Sequence, residues 1–100
     1  MLLRFRPEVE PARAAALLRD FAALATSISG VAGVESGENI SPEGLDKGFT
    51  HAVLLQFVDA GDRDLYLSHP AHQAFARRLQ DAAAEVLVVD FLDASAPFAA

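Results

Sequence analysis

Apolar residues recur with a helical period over the first third of the chain, after a short apolar segment. Met1 to Arg6 is rich in apolar side chains and stops at Pro7, which predicts a brief first strand. From Pro11 to about residues 27–30, apolar residues recur at steps of three and four and predict a helix with one apolar stripe. The stripe consists of Ala14, Leu17, Leu18, Phe21, Leu24, Ala25 and Ile28.

The middle of the chain changes to a strand pattern that turn-forming residues interrupt. We interpret Val31 to Gly33 as a connector and Val34 to Ile40 as a second strand, in which Gly37 marks a bulge or a close approach. Ser41 to Gly48 consists of turn-forming residues and predicts an exposed hairpin loop. Phe49 to Val58 predicts a third strand, and both faces of this strand are largely apolar.

The last third of the chain predicts two helices and a final strand. Asp59 is placed to cap a helix that runs to about Ser68, and Pro70 begins another helix. Val86 to Leu92 is a short apolar run typical of a buried strand, again apolar on both faces. The tail from Ala94 to Ala100 has no pattern that assigns it to an element.

The predicted order is strand, helix, strand, strand, helix, helix, strand. It indicates a single α+β domain over residues 1–100 with a ferredoxin-like (split βαβ) plan, in which the helices cover one face of a four-stranded antiparallel sheet. Because two strands are apolar on both faces, the uncovered face needs a second sheet, which an identical chain can supply about a two-fold axis. The hydrophobic content of 52% agrees with a homodimer. We therefore expect a dimeric α+β barrel.

The net charge of the chain disfavours two classes of binding partner. Fourteen acidic residues against eight basic ones give a formal charge of −6, which disfavours binding to nucleic acid and to anionic membrane surfaces. No apolar run approaches the roughly 18 residues that a membrane span needs, and the N-terminal segment lacks the features of a secretory signal. We expect a cytoplasmic protein with neither a nucleic-acid nor a membrane partner.

The sequence contains few features of a cofactor-binding or metal-binding site. The chain has no cysteine, which excludes disulfides and thiolate metal sites. Gly30 and Gly33 do not have the spacing of a dinucleotide-binding motif, and there is no nucleophile elbow. His69 and His72 lie three residues apart, but no acidic residue is spaced to complete a metal site with them. We expect no cofactor and no metal ion.

The three histidines and the only tyrosine are the candidates for proton transfer near neutral pH. His72 begins a helical edge that continues with Phe75, Ala76 and Leu79, so it should border an apolar stripe, where burial lowers a histidine pKa. A neutral His72 is a candidate general base, with Tyr66 as its partner. The structural alternative is a histidine at the start of a helix whose nitrogens bond to the backbone or to Tyr66.

The other candidate residues line a pocket or hold the structure together. His51 shares a strand face with Val53 and Leu55, so it either lines a pocket or is a hydrogen-bonded core residue. His69 precedes Pro70, a position that favours a turn or a capping role. The candidate substrate-binding residues are His51, Phe49, Phe75 and Leu79.

Five segments carry a resemblance to a known family: Gly37 to Asn39, Ser41 to Gly44, Gly48 to Ala52, Tyr66 to Phe75 and Val86 to Phe91. The fourth contains Tyr-x-x-His-Pro-x-His and the third contains Thr-His, and these two motifs are specific in combination. Together they resemble the stress-responsive dimeric alpha/beta barrel domain family over nearly the whole chain. The resemblance implies a homodimer whose two sheets form a barrel, with a cavity in each protomer between the sheet and the helices.

One branch of this family, similar to plant polyketide cyclases, closes a polyketide chain by an intramolecular aldol step without a metal or an organic cofactor. For that branch the resemblance implies that His72 acts as general base, that Tyr66 assists it and that His51 lines the pocket. The family usually opens with a histidine at the head of a longer first strand, whereas this sequence starts at Met1-Leu2-Leu3, past that position. One histidine of the cyclase pocket is therefore expected to be missing.

Three functional hypotheses follow from the sequence. The first is a small homodimeric stress-responsive barrel protein whose apolar pocket binds or shields a small apolar organic molecule. The second is a cofactor-free enzyme, with polyketide cyclase-like aldol chemistry or that of a related barrel oxygenase, in which His72 is the general base. The third is a structural or regulatory dimer without a ligand. An open cavity bordered by His51, Tyr66 and His72 would favour the first two hypotheses.

Overall fold

The computed structural model describes residues 1–94 of the chain. Within them it has four strands and three helices in the predicted order. The elements are β1 (Leu2–Phe5), α1 (Pro11–Ser27), β2 (Val31–Glu38), β3 (His51–Phe57), α2 (Ala60–Ser68), α3 (Pro70–Ala82) and β4 (Ala83–Leu87). This order confirms the predicted ferredoxin-like α+β fold.

The strands form one antiparallel sheet in the order β2-β3-β1-β4. Leu3 of β1 pairs with His51 of β3 on one side and with Val86 of β4 on the other. Since β1 and β4 are separated by all three helices in the sequence, the sheet is completed only by contacts between distant residues. The prediction of a four-stranded antiparallel sheet is confirmed.

Residues at the helix starts explain why each helix begins where it does. Pro11 occupies the first turn of α1, as predicted. The Asp59 side chain accepts a hydrogen bond of 2.8 Å from the backbone N–H of Asp62, which confirms its predicted role as the cap of α2. His69 separates α2 from α3, and its Nδ1 accepts the N–H of Ala71 at 3.1 Å. The predicted capping role of His69 is therefore confirmed.

β2 begins earlier than the sequence pattern predicts. The chain turns at Gly30, whose φ of 94° suits glycine, and pairing with β3 begins at once at Val31. The prediction of a connector over Val31–Gly33 is therefore wrong. The register shifts between Val31 and Gly33, whereas Gly37 pairs regularly with Ala52. The predicted bulge at Gly37 is thus also misplaced.

The boundaries of β3 and β4 differ from the prediction for related reasons. β3 begins at His51, because the N–H of Phe49 donates to the carbonyl of Asp46 in the preceding turn at 3.1 Å. β4 spans Ala83–Leu87 instead of Val86–Leu92, because its pairing partner β1 provides only Leu2–Phe5. Residues 88–92 therefore lie outside the sheet, and the tail beyond residue 94 lies outside the described residues.

The helices cover the face of the sheet that carries Leu3 and Val53, which are 0% and 3% exposed. Phe21 of α1 and the α3 residues Phe75 and Leu79 complete this core. Burial of these large apolar side chains is the main contribution to the stability of the covered face.

The opposite face of the sheet, which we call the open face, carries exposed leucines. Leu2 and Leu87 pair across β1 and β4 and are 39% and 45% exposed, and Leu54 of β3 is 43% exposed. β3 therefore has two largely apolar faces, as predicted, and one of them is uncovered in the single chain. Among residues 1–94, none of the helices has the length and apolar content to cross a bilayer.

Candidate functional site

A cavity of about 310 Å³ lies between the sheet and helices α2 and α3. Most of the side chains around it are apolar, and several belong to the core. We call it the Tyr66 cavity; its lining includes Phe21, Val53, Leu55, Phe57, Tyr66, His72, Phe75, Ala76 and Leu79. Its size and apolar lining are those of a site for a small organic molecule.

Tyr66 and His72 meet in this cavity because of the helix break between them. Tyr66 lies in the last turn of α2 and His72 in the first turn of α3, on either side of Pro70. Their ring centroids are 4.3 Å apart, with the ring planes inclined by 45°. Phe57 makes a second ring contact with Tyr66, with ring centroids 5.2 Å apart. The predicted pair is thus in direct ring contact.

Both members of the pair carry a buried polar atom that lacks a hydrogen bond. Neither the Tyr66 hydroxyl oxygen nor His72 Nδ1 has a partner among residues 1–94. A buried polar group without a partner costs stability, roughly 1–3 kcal/mol, and most such groups in proteins are satisfied. Two of them side by side in an apolar cavity are positioned to bond to a bound molecule.

The protonation of the pair follows from its surroundings. Burial raises the pKa of Tyr66 to about 12, so its hydroxyl is a neutral hydrogen-bond donor at pH 7. Burial, and secondly the charge of the nearby His69, lower the pKa of His72, so its imidazole is neutral at pH 7. A neutral imidazole beside a phenol supplies one proton acceptor and one hydrogen-bond donor to the same small volume.

Phe75 and Leu79, two of the candidate substrate-binding residues, lie at the Tyr66 cavity. Both line the Tyr66 cavity, and Phe75 packs edge-on against Phe21 with ring centroids 5.2 Å apart. These side chains are 6% and 5% exposed, so they shape the cavity as parts of the core.

His51 and Phe49 do not join the Tyr66 cavity. They line a separate cleft of about 840 Å³, which we call the His51 cleft, between α1, the end of β1, the end of β2 and the start of β3. His51 Nδ1 lies 2.8 Å from the Thr50 hydroxyl oxygen, and the Phe5 ring meets the imidazole edge-on at 5.0 Å. His51 and Phe57 are at opposite ends of β3, which explains the separation.

Two charged residues at the Tyr66 cavity were not among the predicted site residues. Arg63 and Asp90 both border the cavity and are joined by an ion pair of 3.4 Å. Arg63 lies three positions before Tyr66 on α2, so helical spacing could have identified it. Asp90 lies beyond the end of β4, in a segment for which the sequence pattern predicts a strand.

The metal-ligating residue types are dispersed over the described chain. Among residues 1–94, no three histidine, cysteine, aspartate or glutamate side chains lie close enough to hold a metal ion. The Tyr66 cavity offers hydrogen-bonding and acid–base groups on Tyr66 and His72.

Two proteins of known sequence are similar to almost the whole chain. The stress-response A/B barrel domain-containing protein HS1 of Arabidopsis thaliana is 30% identical over 91 residues, which cover 91% of this chain and 84% of HS1. Olivetolic acid cyclase of Cannabis sativa is 23% identical over 91 residues, which cover 91% of this chain and 90% of the cyclase.

Solved structures share the fold. A crystal structure of an Arabidopsis thaliana protein has a TM-score of 0.90 and 29% identity, covering 97% of this chain and 94% of that one. Hydroxynitrile lyase from Passiflora edulis has a TM-score of 0.83 and 19% identity, with coverages of 96% and 92%. A dimeric ferredoxin-like protein of unknown function from Jannaschia has a TM-score of 0.71 and 23% identity, with coverages of 82% and 80%.

A family model confirms the resemblance found in the sequence. The model of the stress-responsive A/B barrel domain matches residues 1–93, which include every element from β1 to β4 as well as Tyr66 and His72. This chain therefore belongs to the stress-responsive A/B barrel domain family.

Proposed function

We propose that this chain is a homodimeric A/B barrel protein that binds a small apolar organic molecule in the Tyr66 cavity. The observation that carries the proposal is the pair of unpartnered polar atoms, on Tyr66 and His72, inside an otherwise apolar cavity. A ligand with one polar group, such as a carbonyl, hydroxyl or phenol, would satisfy them while its apolar part displaces water from the walls.

The binding test uses the single tyrosine as its own reporter. The chain has one tyrosine and no tryptophan, so its tyrosine fluorescence comes from the cavity. Nonane-2,4-dione, which combines an apolar chain with two carbonyl groups, should change this fluorescence saturably. Ala76→Phe, which fills the cavity, should abolish the change, and Ala74→Phe on the exposed side of the same helix should keep it.

Two results would contradict the binding proposal. The first is a fluorescence that stays constant up to millimolar ligand. The second is equal binding by Ala76→Phe and the original chain, which would place the ligand elsewhere. The first result would support the third hypothesis, a structural dimer without a ligand.

The homodimer is supported by the open face. Leu2, Leu54 and Leu87 form an exposed apolar surface on the sheet, and a second sheet packed on it would bury these side chains. The similar Jannaschia protein is described as dimeric. Leu87→Asp should give monomers in sedimentation equilibrium at micromolar concentration, whereas Leu65→Asp, on an exposed helix position, should leave the dimer intact. A monomeric original chain would contradict the proposal.

Cofactor-free catalysis is the second candidate function. The lowered pKa of His72 and its unpartnered Nδ1 favour it. In the proposed step His72 takes a proton from the carbon next to a substrate carbonyl, while the Tyr66 hydroxyl donates to the carbonyl oxygen. The electron pair of the broken C–H bond forms an enolate, which attacks a second carbonyl of the same molecule in an aldol step. The C–C bond forms as the π bond of that carbonyl breaks, and the resulting alkoxide takes the proton back from protonated His72. Similar proteins include olivetolic acid cyclase and a hydroxynitrile lyase.

Proton abstraction can be measured without knowing the substrate. The chain should accelerate exchange of the α-protons of nonan-2-one with D₂O, followed by ¹H NMR. His72→Ala should reduce the acceleration by roughly 100-fold, the usual lower range for loss of a general base, and His51→Ala should not change it. Ligand binding without any acceleration of the proton exchange would contradict catalysis and would support the binding function alone.

A further inference from the structure

The His51 cleft is a second recess that the proposed function does not use. Its volume is about 840 Å³, against about 310 Å³ for the Tyr66 cavity, and the two share no lining residue. A recess of this size lies within the range of pockets that bind small molecules.

Small side chains on both walls create the cleft. On the helix side, α1 presents Ala14, Ala15 and Ala22, and on the sheet side the end of β2 presents Ser36 and Gly37. A Cβ atom added at Gly37 would meet no other atom within 4 Å. The alanines that favour the helix also keep it from filling the space above the sheet.

Aromatic rings form an apolar surface inside the cleft. Phe5, Phe49 and His51 lie together at the ends of β1 and β3. The Phe5 ring meets the His51 ring edge-on at 82°, and the 2.8 Å contact of His51 Nδ1 with Thr50 Oγ1 holds the imidazole in place. A planar aromatic ligand has favourable stacking and edge contacts with such a ring cluster.

The charged groups around the cleft favour one negative charge on the ligand. Arg19 forms no ion pair with any residue of the described chain. Arg6 donates from Nε to the Asp81 carbonyl at 3.0 Å, which orients the guanidinium, and its two terminal nitrogens form no ion pair within residues 1–94. Guanidinium groups of this kind bind carboxylates through paired hydrogen bonds.

The acidic residues of the His51 cleft limit the negative charge of a ligand that can bind there. Asp46 is already bonded to the Asn39 side chain at 2.7 Å and to the N–H of Gly48 at 2.9 Å. Glu38 pairs with His51 across β2 and β3 and shares its face of the sheet. Its negative charge, with the net charge of −6, disfavours phosphates and other multiply charged ligands.

We propose that the His51 cleft binds a small aromatic monocarboxylate, with the ring on Phe5, Phe49 and His51 and the carboxylate on Arg6 and Arg19. This site is independent of the Tyr66 cavity, because no side chain lines both.

The test compares 2-naphthoate with its uncharged analogue, naphthalene-2-carboxamide, by ¹H–¹⁵N NMR titration. Naphthoate should shift the amide signals of Ser36–Glu38 and residues 48–51 and leave those of Tyr66 and His72 in place. Arg19→Gln should weaken naphthoate binding roughly tenfold, the effect of losing one charge-assisted hydrogen bond, and change carboxamide binding less than about twofold. Arg13→Gln, on the same helix but outside the cleft, should bind naphthoate like the original chain.

Two further variants separate this proposal from the proposed function. Ala15→Phe, which fills the cleft from α1, should abolish naphthoate binding and preserve nonane-2,4-dione binding, and Ala76→Phe should do the reverse. The proposal is overturned if naphthoate fails to bind at millimolar concentration, if it shifts the signals of the Tyr66 cavity instead, or if Arg19→Gln and Arg13→Gln bind it equally.

Discussion

The Tyr66 cavity and the His51 cleft differ in what surrounds them. The cavity is walled by large core side chains such as Phe21 and Phe75, and two of its polar atoms have no partner among residues 1–94. The cleft is walled by alanines, a glycine and aromatic rings, and its imidazole nitrogen Nδ1 already contacts Thr50. A recess within a core leaves its polar groups few neighbours to bond to, whereas a recess at the surface leaves them bonded to neighbours or to water.

The difference in burial predicts the largest contrast in stability. Phe75→Ala removes a ring that is 6% exposed and should lower the free energy of unfolding by about 3–5 kcal/mol. Phe49→Ala removes a partly buried ring from the cleft and should cost roughly 1–2 kcal/mol. Urea denaturation of the two variants at one protein concentration measures both. Equal losses would mean that the cleft is as much a part of the core as the cavity.

The titration of Tyr66 tests the burial of the cavity directly. Because it is the only tyrosine, absorbance at 295 nm follows this one group. In the folded protein it should titrate with a pKa of about 12, against about 10 in the urea-unfolded chain. Since the neutral form is favoured in the fold, stability should fall as the pH rises from about 10 towards 12. A folded pKa near 10 would indicate that water fills the cavity.

His72 should make stability depend on pH on the acid side. Its pKa is lowered in the fold by burial and by His69, so the unfolded chain binds a proton before the folded chain does. Stability should therefore be complete above a pH of about 6.5, the unfolded value, and decline as the pH falls through the lowered folded pKa. His72→Gln should flatten this decline in urea midpoints measured between pH 7.5 and 5. A decline that His72→Gln leaves as steep as in the original chain would contradict this prediction.

The smallest effects are expected from the ion pairs beside the two recesses. Arg63–Asp90 borders the cavity, and Arg4 of the Arg4–Glu85 pair lines the cleft; both pairs have a distance of 3.4 Å and join partly exposed side chains. Asp90→Asn and Glu85→Gln should each change the free energy of unfolding by less than about 1 kcal/mol, and added salt should reduce the effect further. A loss above about 2 kcal/mol for Asp90→Asn alone would show that the pair closes the cavity.

Local signals made the helices predictable from the sequence. Pro11 and Asp59 act on the first turn that follows them, so their effect depends on few other residues. The strand boundaries were less predictable, because they depend on the partner strand. β4 ends at Leu87, which pairs with Leu2, the first residue of β1. Nothing in the apolar run from Val86 to Leu92 marks that position.

The candidate site was predictable where it is local. Tyr66 and His72 are six positions apart on either side of Pro70, so the helix break alone brings them together. The position of His51 was harder to predict. Alternation along a strand indicates on which face of the sheet a residue lies but not which end of the strand borders a cavity. Only the pairing of β3 with β1 and β2 places His51 beside Phe5 and Glu38.

The alanine wall of α1 also affects how this protein can change in evolution. Ala15 is exposed and lies outside the core, so an exchange there can reshape the His51 cleft at little cost in folding. Phe75 and Leu79 support the core and the Tyr66 cavity at once, so an exchange there alters both together. Selection can therefore change the shape of one recess freely while the other stays under the constraint of stability.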